Sequence, residues 1–181
     1  VAAQRLGSYI IDVTGKLRLM AGQAAAMGSC QGADSALERI ARHDLARNWV
    51  AAIYVVEGDF AETRRPRCTY RFDDDVPDPA KADEAANGRD ADQWNEMASH
   101  LAAYRAEAAL PCRISRTLVL SNRRLGHVLS APIVGPDGRP AGLVAALLPV
   151  TFETDQLSVS SADSGKGLWI FTADSELLGD R

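Results

Sequence analysis

Between positions 6 and 27, apolar residues recur at Leu6, Ile10, Val13, Leu17, Met20, Ala24 and Met27, in alternating steps of four and three. That spacing draws one continuous stripe down a helix, close to the a/d seam of a heptad. At 1.5 Å per residue, a helix over these positions and the residues before them reaches about 40 Å, longer than a small domain is wide. Gly7, Gly15 and the β-branched run at 10–14 oppose it, each glycine costing about 1 kcal/mol relative to alanine. Packing must therefore hold the element. Two arrangements do so: a core helix lying on a sheet, or a helix whose first half projects outward and pairs with a twin.

The stripe stops at Gly28-Ser29-Cys30-Gln31-Gly32. As a pattern this is G-x-C-x-G, the thiol form of the turn that exposes a nucleophile. Such an elbow needs a buried strand before the cysteine, whereas the preceding AGQAAAM is a run of helix formers. A lipoprotein processing site fails as well, because Lys16 and Arg18 interrupt the apolar segment it requires. A cysteine-dependent enzyme is thus a minor alternative, open to thiol titration.

Beyond the junction a second helix is expected over 35–47, with Leu37, Ile40, Ala41 and Leu45 on one face. The period then changes. WVAAIYVV (49–56) is nearly all apolar, which suits a central strand, and RCTYRF (67–72) returns after a Glu-Gly-Asp turn. Trp94, Met97, Leu101 and Tyr104 mark a helix over 92–109. Three strands are expected at 112–121, 126–134 and 141–152, the last two joined through Asp137-Gly138, a pair that supplies the positive φ of a hairpin turn. A polar linker at 158–166 precedes a last short strand at 168–172 and a turn at 173–176. Helices segregated from grouped strands argue an α+β fold.

With 181 residues, 46% hydrophobic and 24% charged, the chain can pack one core of ordinary size. Its net charge of −4 argues against nucleic acid as a partner. The stretch 73–93 holds eight acids against two bases and reads as a solvated acidic loop; it lacks the D-x-[DN]-x-[DN]-G spacing of a calcium loop. His43, His100 and His127 are scattered, and no phosphate-binding glycine motif is present. No metal, no cofactor and no catalytic constellation is therefore expected. No apolar run approaches the roughly 20 residues needed to span a bilayer. The chain starts without a methionine inside a helical pattern and reads as a piece of a longer protein.

The long helix leading through a short one into WVAAIYVVEGDF resembles the entry to the PAS-like core of Cache sensor domains. SAPIVGPDGRPAGLVAALLPVTFETDQL looks like their closing hairpin, and LWIFTADSELLGDR is similar to the start of a second PAS-like unit or the exit toward the membrane, with Ser175-Glu176 in place of the expected glycine. The resemblance implies a long N-terminal helix packed on a central antiparallel sheet of about five strands, as layered α+β folds arrange them. It implies a membrane-proximal helix and junction at 1–34, a sensor core at 35–157, and a linker with the start of a second unit or exit at 158–181. Such modules are extracytoplasmic ligand sensors of bacterial receptor histidine kinases, chemoreceptors and diguanylate cyclases, and the resemblance implies here a periplasmic domain of an inner-membrane receptor, a histidine kinase of a two-component system. The implied partners are a small molecule, anionic where arginines hold it, or alternatively a periplasmic protein, with the membrane reached through flanking segments and a homodimer formed through the N-terminal helix.

Within the family, Cys30 and Cys68 are similar to a pair seen in some kinase sensors, and an oxidising compartment would allow a bridge between them. Cys68 with Cys112, or three reduced cysteines, stay open as alternatives. Since the family's ligand lies against the sheet beneath the crossing helix, the candidate ligand residues are Trp94, Tyr104, Arg113, Ser115, Arg116 and His127. An inward Arg113 or Arg116 beneath Trp94 or Tyr104 would clamp a carboxylate. The competing expectation is that these arginines, with Arg64, Arg65, Arg67 and Arg71 around the second strand and Arg123 and Arg124 around the third, are solvated or paired with the acidic loop.

Overall fold

A computed structural model of the chain describes residues 2–26, 28–32, 34–46, 50–58, 60–74, 76–80, 89–106, 113–114, 118–119, 125–149, 170–171 and 177–179. The apolar stripe forms helix α1 (Ala2–Ala25). Val13, Leu17 and Met20 are fully buried along it, and Ala21 and Ala24 nearly so. Burying three such side chains contributes roughly 5–9 kcal/mol, which outweighs the cost of the helix glycines. Ile11 and Leu19 lie on the far side, 74% and 54% exposed. The Gly28 N–H reaches back to the Gln23 carbonyl at 3.2 Å, closing the helix end.

Helix α2 (Ala36–Arg39) starts at Ser35, whose Oγ accepts from the Glu38 N–H at 3.1 Å. It runs directly into a π-helical segment, Ile40–Leu45, that the Ala46 N–H closes on the Ala41 carbonyl. Together they bury Leu37, Ile40, Ala41 and Leu45, the residues expected on one face.

Six strands form the sheet: β1 (Ala52–Glu57), β2 (Cys68–Arg71), β3 (Arg113–Ile114), β4 (Leu118–Val119), β5 (Leu125–Val134) and β6 (Pro140–Pro149). The order is β2-β1-β6-β5-β3, with β4 also on β5, and every pairing is antiparallel. Helix α3 (Phe60–Thr63) is one turn between β1 and β2, and α4 (Arg89–Ala106) precedes β3. β1 and β6 lie inside the sheet with both faces covered, which explains their unbroken apolar runs. The β5–β6 hairpin turns through Gly138 at φ +76°.

Within the expected strand at 112–121, the described residues are β3 and β4, both paired with β5. From Ile114 to Leu118 the chain advances four residues while β5 retreats three, from Leu129 to Gly126. This one-residue offset breaks the single alternation. Two further strands, β7 (Ile170–Phe171) and β8 (Leu177–Gly179), pair with each other at the C-terminal end, β7 within the expected 168–172. Cys112 and most of 150–181 lie outside the described residues.

The sheet divides two apolar layers. One packs α1, α2 and the π segment against Ile53, Val55, Cys68, Tyr70, Leu129, Ala131, Ile133, Val144, Ala146 and Leu148. The other packs Phe60, Val76 and α4 against Ala52, Tyr54, Val56, Val128, Leu143, Ala145 and Leu147.

Candidate functional site

The two faces of the sheet are covered by different means. On the α1 side a long helix is fastened at its C-terminal end. Cys30 and Cys68 form a disulfide with Cα atoms 5.4 Å apart. The neighbouring Arg67 donates to the Glu57 carboxylate at 2.6 Å, to the Ala24 carbonyl at 3.2 Å and to the Gly28 carbonyl. The Tyr70 hydroxyl donates to the Cys30 carbonyl at 2.6 Å, and burial pushes its pKa up, with the Glu38 charge adding to the rise. With its sulfur bonded to Cys68, Cys30 has no thiol for nucleophilic chemistry, and the elbow reading falls with it.

The opposite side is covered by α4 and by connecting chain. Trp94 is 4% exposed on the buried stripe of α4 with Met97, Ala98 and Leu101. Its indole N–H donates to the Arg64 carbonyl at 3.1 Å, and its ring meets that of Tyr54 at 5.4 Å between centroids, tilted by 48°. Arg64 holds φ at +53°, ending α3 and presenting that carbonyl. Tyr54 is fully buried, and its hydroxyl donates to the Pro77 carbonyl at 2.8 Å. Burial drives its pKa far above the ordinary phenol value. Both aromatic polar atoms are thus engaged with backbone, and the pair clasps two connecting segments to the sheet.

The acidic stretch is not wholly solvated. At its start Arg71 pairs with Asp78 at 2.6 Å and donates to the carbonyls of Asp74 and Val76. Val76 and Pro77, within this stretch, are buried. Of the two expectations for the arginines, pairing with the acidic loop describes Arg71.

The residues expected to hold ligand do not all converge. Trp94 is on the α4 face, as packing. Tyr104 is in the last turn of α4. Arg113 takes the register position opposite Ser130, a buried polar residue that alternates with Val128 onto the α4 face. Ser115 and Arg116 lie outside the described residues. His127 is a correction: it is fully buried, pairs with Leu148 and shares a face with Leu129 and Ala131, so it lies on the α1 side, away from Trp94. Tyr54 and Ser130 were missed, and a tyrosine within an otherwise apolar strand is the signal that points to the first.

A separate shallow cleft of about 390 Å³ lies between α1 and β5, lined by Arg18, Ala21, Gly22, Ala25, Pro132 and Val134. It shares no residue with the α4 face. Among the described residues, no helix is long and apolar enough to cross a membrane, and no three His, Cys, Asp or Glu residues cluster as metal ligands.

No protein-family model and no curated protein sequence matches the chain. Solved structures do. The ligand-binding domain of the amino acid chemoreceptor PctC of Pseudomonas aeruginosa PAO1, in complex with GABA, matches with a TM-score of 0.60 at 14% identity, over 98% of this chain and 70% of that one. The ligand-binding domain of the chemoreceptor CtaA of Pseudomonas fluorescens matches at a TM-score of 0.60 in two complexes. With L-serine the identity is 15% and the shared lengths are 98% of this chain and 66% of that one. With L-isoleucine they are 14%, 98% and 63%. The chain therefore spans about two thirds of its neighbours' length, and its fold is that of the Cache (PAS-like) ligand-binding domains.

Proposed function

We propose that the chain is the extracytoplasmic, signal-sensing domain of a bacterial transmembrane receptor, taking a small molecule on the α4 face of its sheet. The observation that carries this reading is a fold shared over 98% of the chain with domains solved in complex with GABA, L-serine and L-isoleucine. The α4 face is chosen because α4 and connecting chain cross the sheet there, the side on which the resemblance places the ligand, and the buried polar Ser130 pairs with Ala145 on it. The Cys30–Cys68 disulfide supports an oxidising compartment, hence the periplasm.

The finer reading is a periplasmic domain of an inner-membrane histidine kinase in a two-component system. In it, 1–34 is the membrane-proximal helix and junction, 35–157 the sensor core, and 158–181 a linker leading to a second PAS-like unit or the membrane. The flanking sequence tests this: transmembrane segments on both sides with a kinase downstream are expected, and a cytoplasmic enzyme fused directly to the domain overturns it. A homodimer through α1 belongs to the same reading, supported by the exposed Ile11 and Leu19. Sedimentation of the Ile11→Glu/Leu19→Glu variant should show monomer where the parent shows dimer, and a parent that is monomeric at all concentrations overturns it.

Ligand binding is tested by thermal-shift screening of the purified domain against amino acids, carboxylates and amines. A ligand at 100 times its Kd adds about 2.7 kcal/mol, a rise of roughly 5–10 °C for a chain of this size. A protein input is the second reading, favoured by the filled packing around Tyr54 and Trp94. It predicts no shift from any small molecule and a shift from a periplasmic protein fraction.

A further inference from the structure

Arg71 closes β2 opposite Ala52, and strand alternation sets it on the α4 face. Its Nη1 donates to Asp78 Oδ2 at 2.6 Å, and its Nη2 to the carbonyls of Asp74 at 2.9 Å and Val76 at 3.4 Å. The other carboxylate oxygen, Asp78 Oδ1, accepts from the Ala80 backbone N–H at 3.0 Å. A carboxylate is thus cradled between a guanidinium and a backbone amide, donors that suit an ionised oxygen pair. The arginine is not fully used. Its Nε is buried and has no hydrogen-bond partner among the described residues. Three of the guanidinium's five N–H donors are taken, and the Nε–H lies idle beside them.

The occupant of this cradle is a short strap. Residues 74 and 76–78 are held by Arg71 and by the Tyr54 hydroxyl on the Pro77 carbonyl. The Arg71–Asp78 pair is about one fifth exposed on each side, so it is open to a solute at its rim.

We propose that the Arg71 guanidinium is a carboxylate-binding site whose resident is Asp78, and that a carboxylate-bearing ligand enters it by displacing the strap of residues 74 and 76–78. The inference rests on the sensor reading and names the ligand chemistry. A tethered carboxylate competes at high effective concentration, so it screens out weak anions and admits one that makes further contacts. Strap-on and strap-off are then two states that differ in their affinity for the ligand, as signalling requires.

Titration calorimetry of the whole 181-residue chain at pH 7 tests this, with succinate as probe and succinamide as its uncharged control. Asp78→Asn removes the resident charge and should tighten succinate binding at least tenfold. Tyr54→Phe keeps every charge, loosens only the strap, and should tighten it several-fold. Arg71→Leu should abolish succinate binding in either background. The inference is overturned if neither variant binds succinate more tightly than the parent, or if succinamide binds as well as succinate. A screened ligand that binds Arg71→Leu as tightly as the parent overturns this site and leaves the sensor reading standing. A domain that binds nothing in any variant overturns both.

Discussion

A Cβ added to Gly142 would overlap the Val56 carbonyl oxygen, with the Glu57 Cα 3.0 Å away. Both neighbours are backbone of the adjacent strand, so neither can rotate aside. Gly142→Ala should therefore destabilise by about 3 kcal/mol, the upper range for overpacking. A thermal midpoint unchanged by the substitution would show that β1 and β6 are not so closely paired there. Arg64 presents the opposite case. Its φ of +53° strains a residue with a Cβ, and its guanidinium bond to Asn95 is exposed. Arg64→Gly should gain about 1 kcal/mol in denaturant unfolding. A loss would mean that the side chain, not the backbone, holds the Trp94 carbonyl partner. His127 shows why residue-level reading misled. Its strand was legible from 126–134, but the face it takes depends on how β5 meets α1, which no local pattern states.

At the scale of elements, the junction between α1 and the sheet carries the clearest expectations. The disulfide closes a separation of 38 residues, worth roughly 3–4 kcal/mol on chain-entropy grounds. Reduction should lower the thermal midpoint by roughly 6–15 °C, and an unmoved midpoint with both thiols titrating would contradict this. The start of α2 responds to acid. The Glu38 carboxylate is held below its ordinary pKa of 4.5, first by Arg42 and then by the Gly32 N–H. A depressed folded pKa means that its contribution is present above 4.5 and disappears as pH falls through the lower, folded value. The Gly32 amide shift should titrate in that lower range, and Glu38→Gln should flatten it. Long elements were readable because burial repeats along them: the stripe gives α1, and the unbroken apolar runs give β1 and β6. In the stretch 112–121 the described residues are strand as expected, and what the sequence does not state is their one-residue register offset, which exists only against β5.

Across the whole molecule, a fastened α1 layer covers one face of a sheet whose other layer is built from α4 and connecting chain. The asymmetry is functional in this reading. Arg67, Tyr70 and the disulfide tie the end of α1 to β1 and β2, so a change in the sheet is passed to that helix. The connecting chain of the opposite layer is tied by one hydrogen bond each from Tyr54 and Trp94 and by the three that Arg71 donates, which a ligand can exchange in this reading. Little of that layer was legible in advance, because Tyr54 and Arg71 act through backbone carbonyls that the fold brings from distant connectors. Heteronuclear NMR of the domain titrated with the ligand recovered by thermal-shift screening tests the central claim most directly. The account predicts saturable shifts concentrated at Tyr54, Arg71, Trp94 and Ser130, with smaller ones along the C-terminal half of α1. Shifts confined to Arg18, Gly22 and Val134 in the α1–β5 cleft, with the α4 face unmoved, would contradict it.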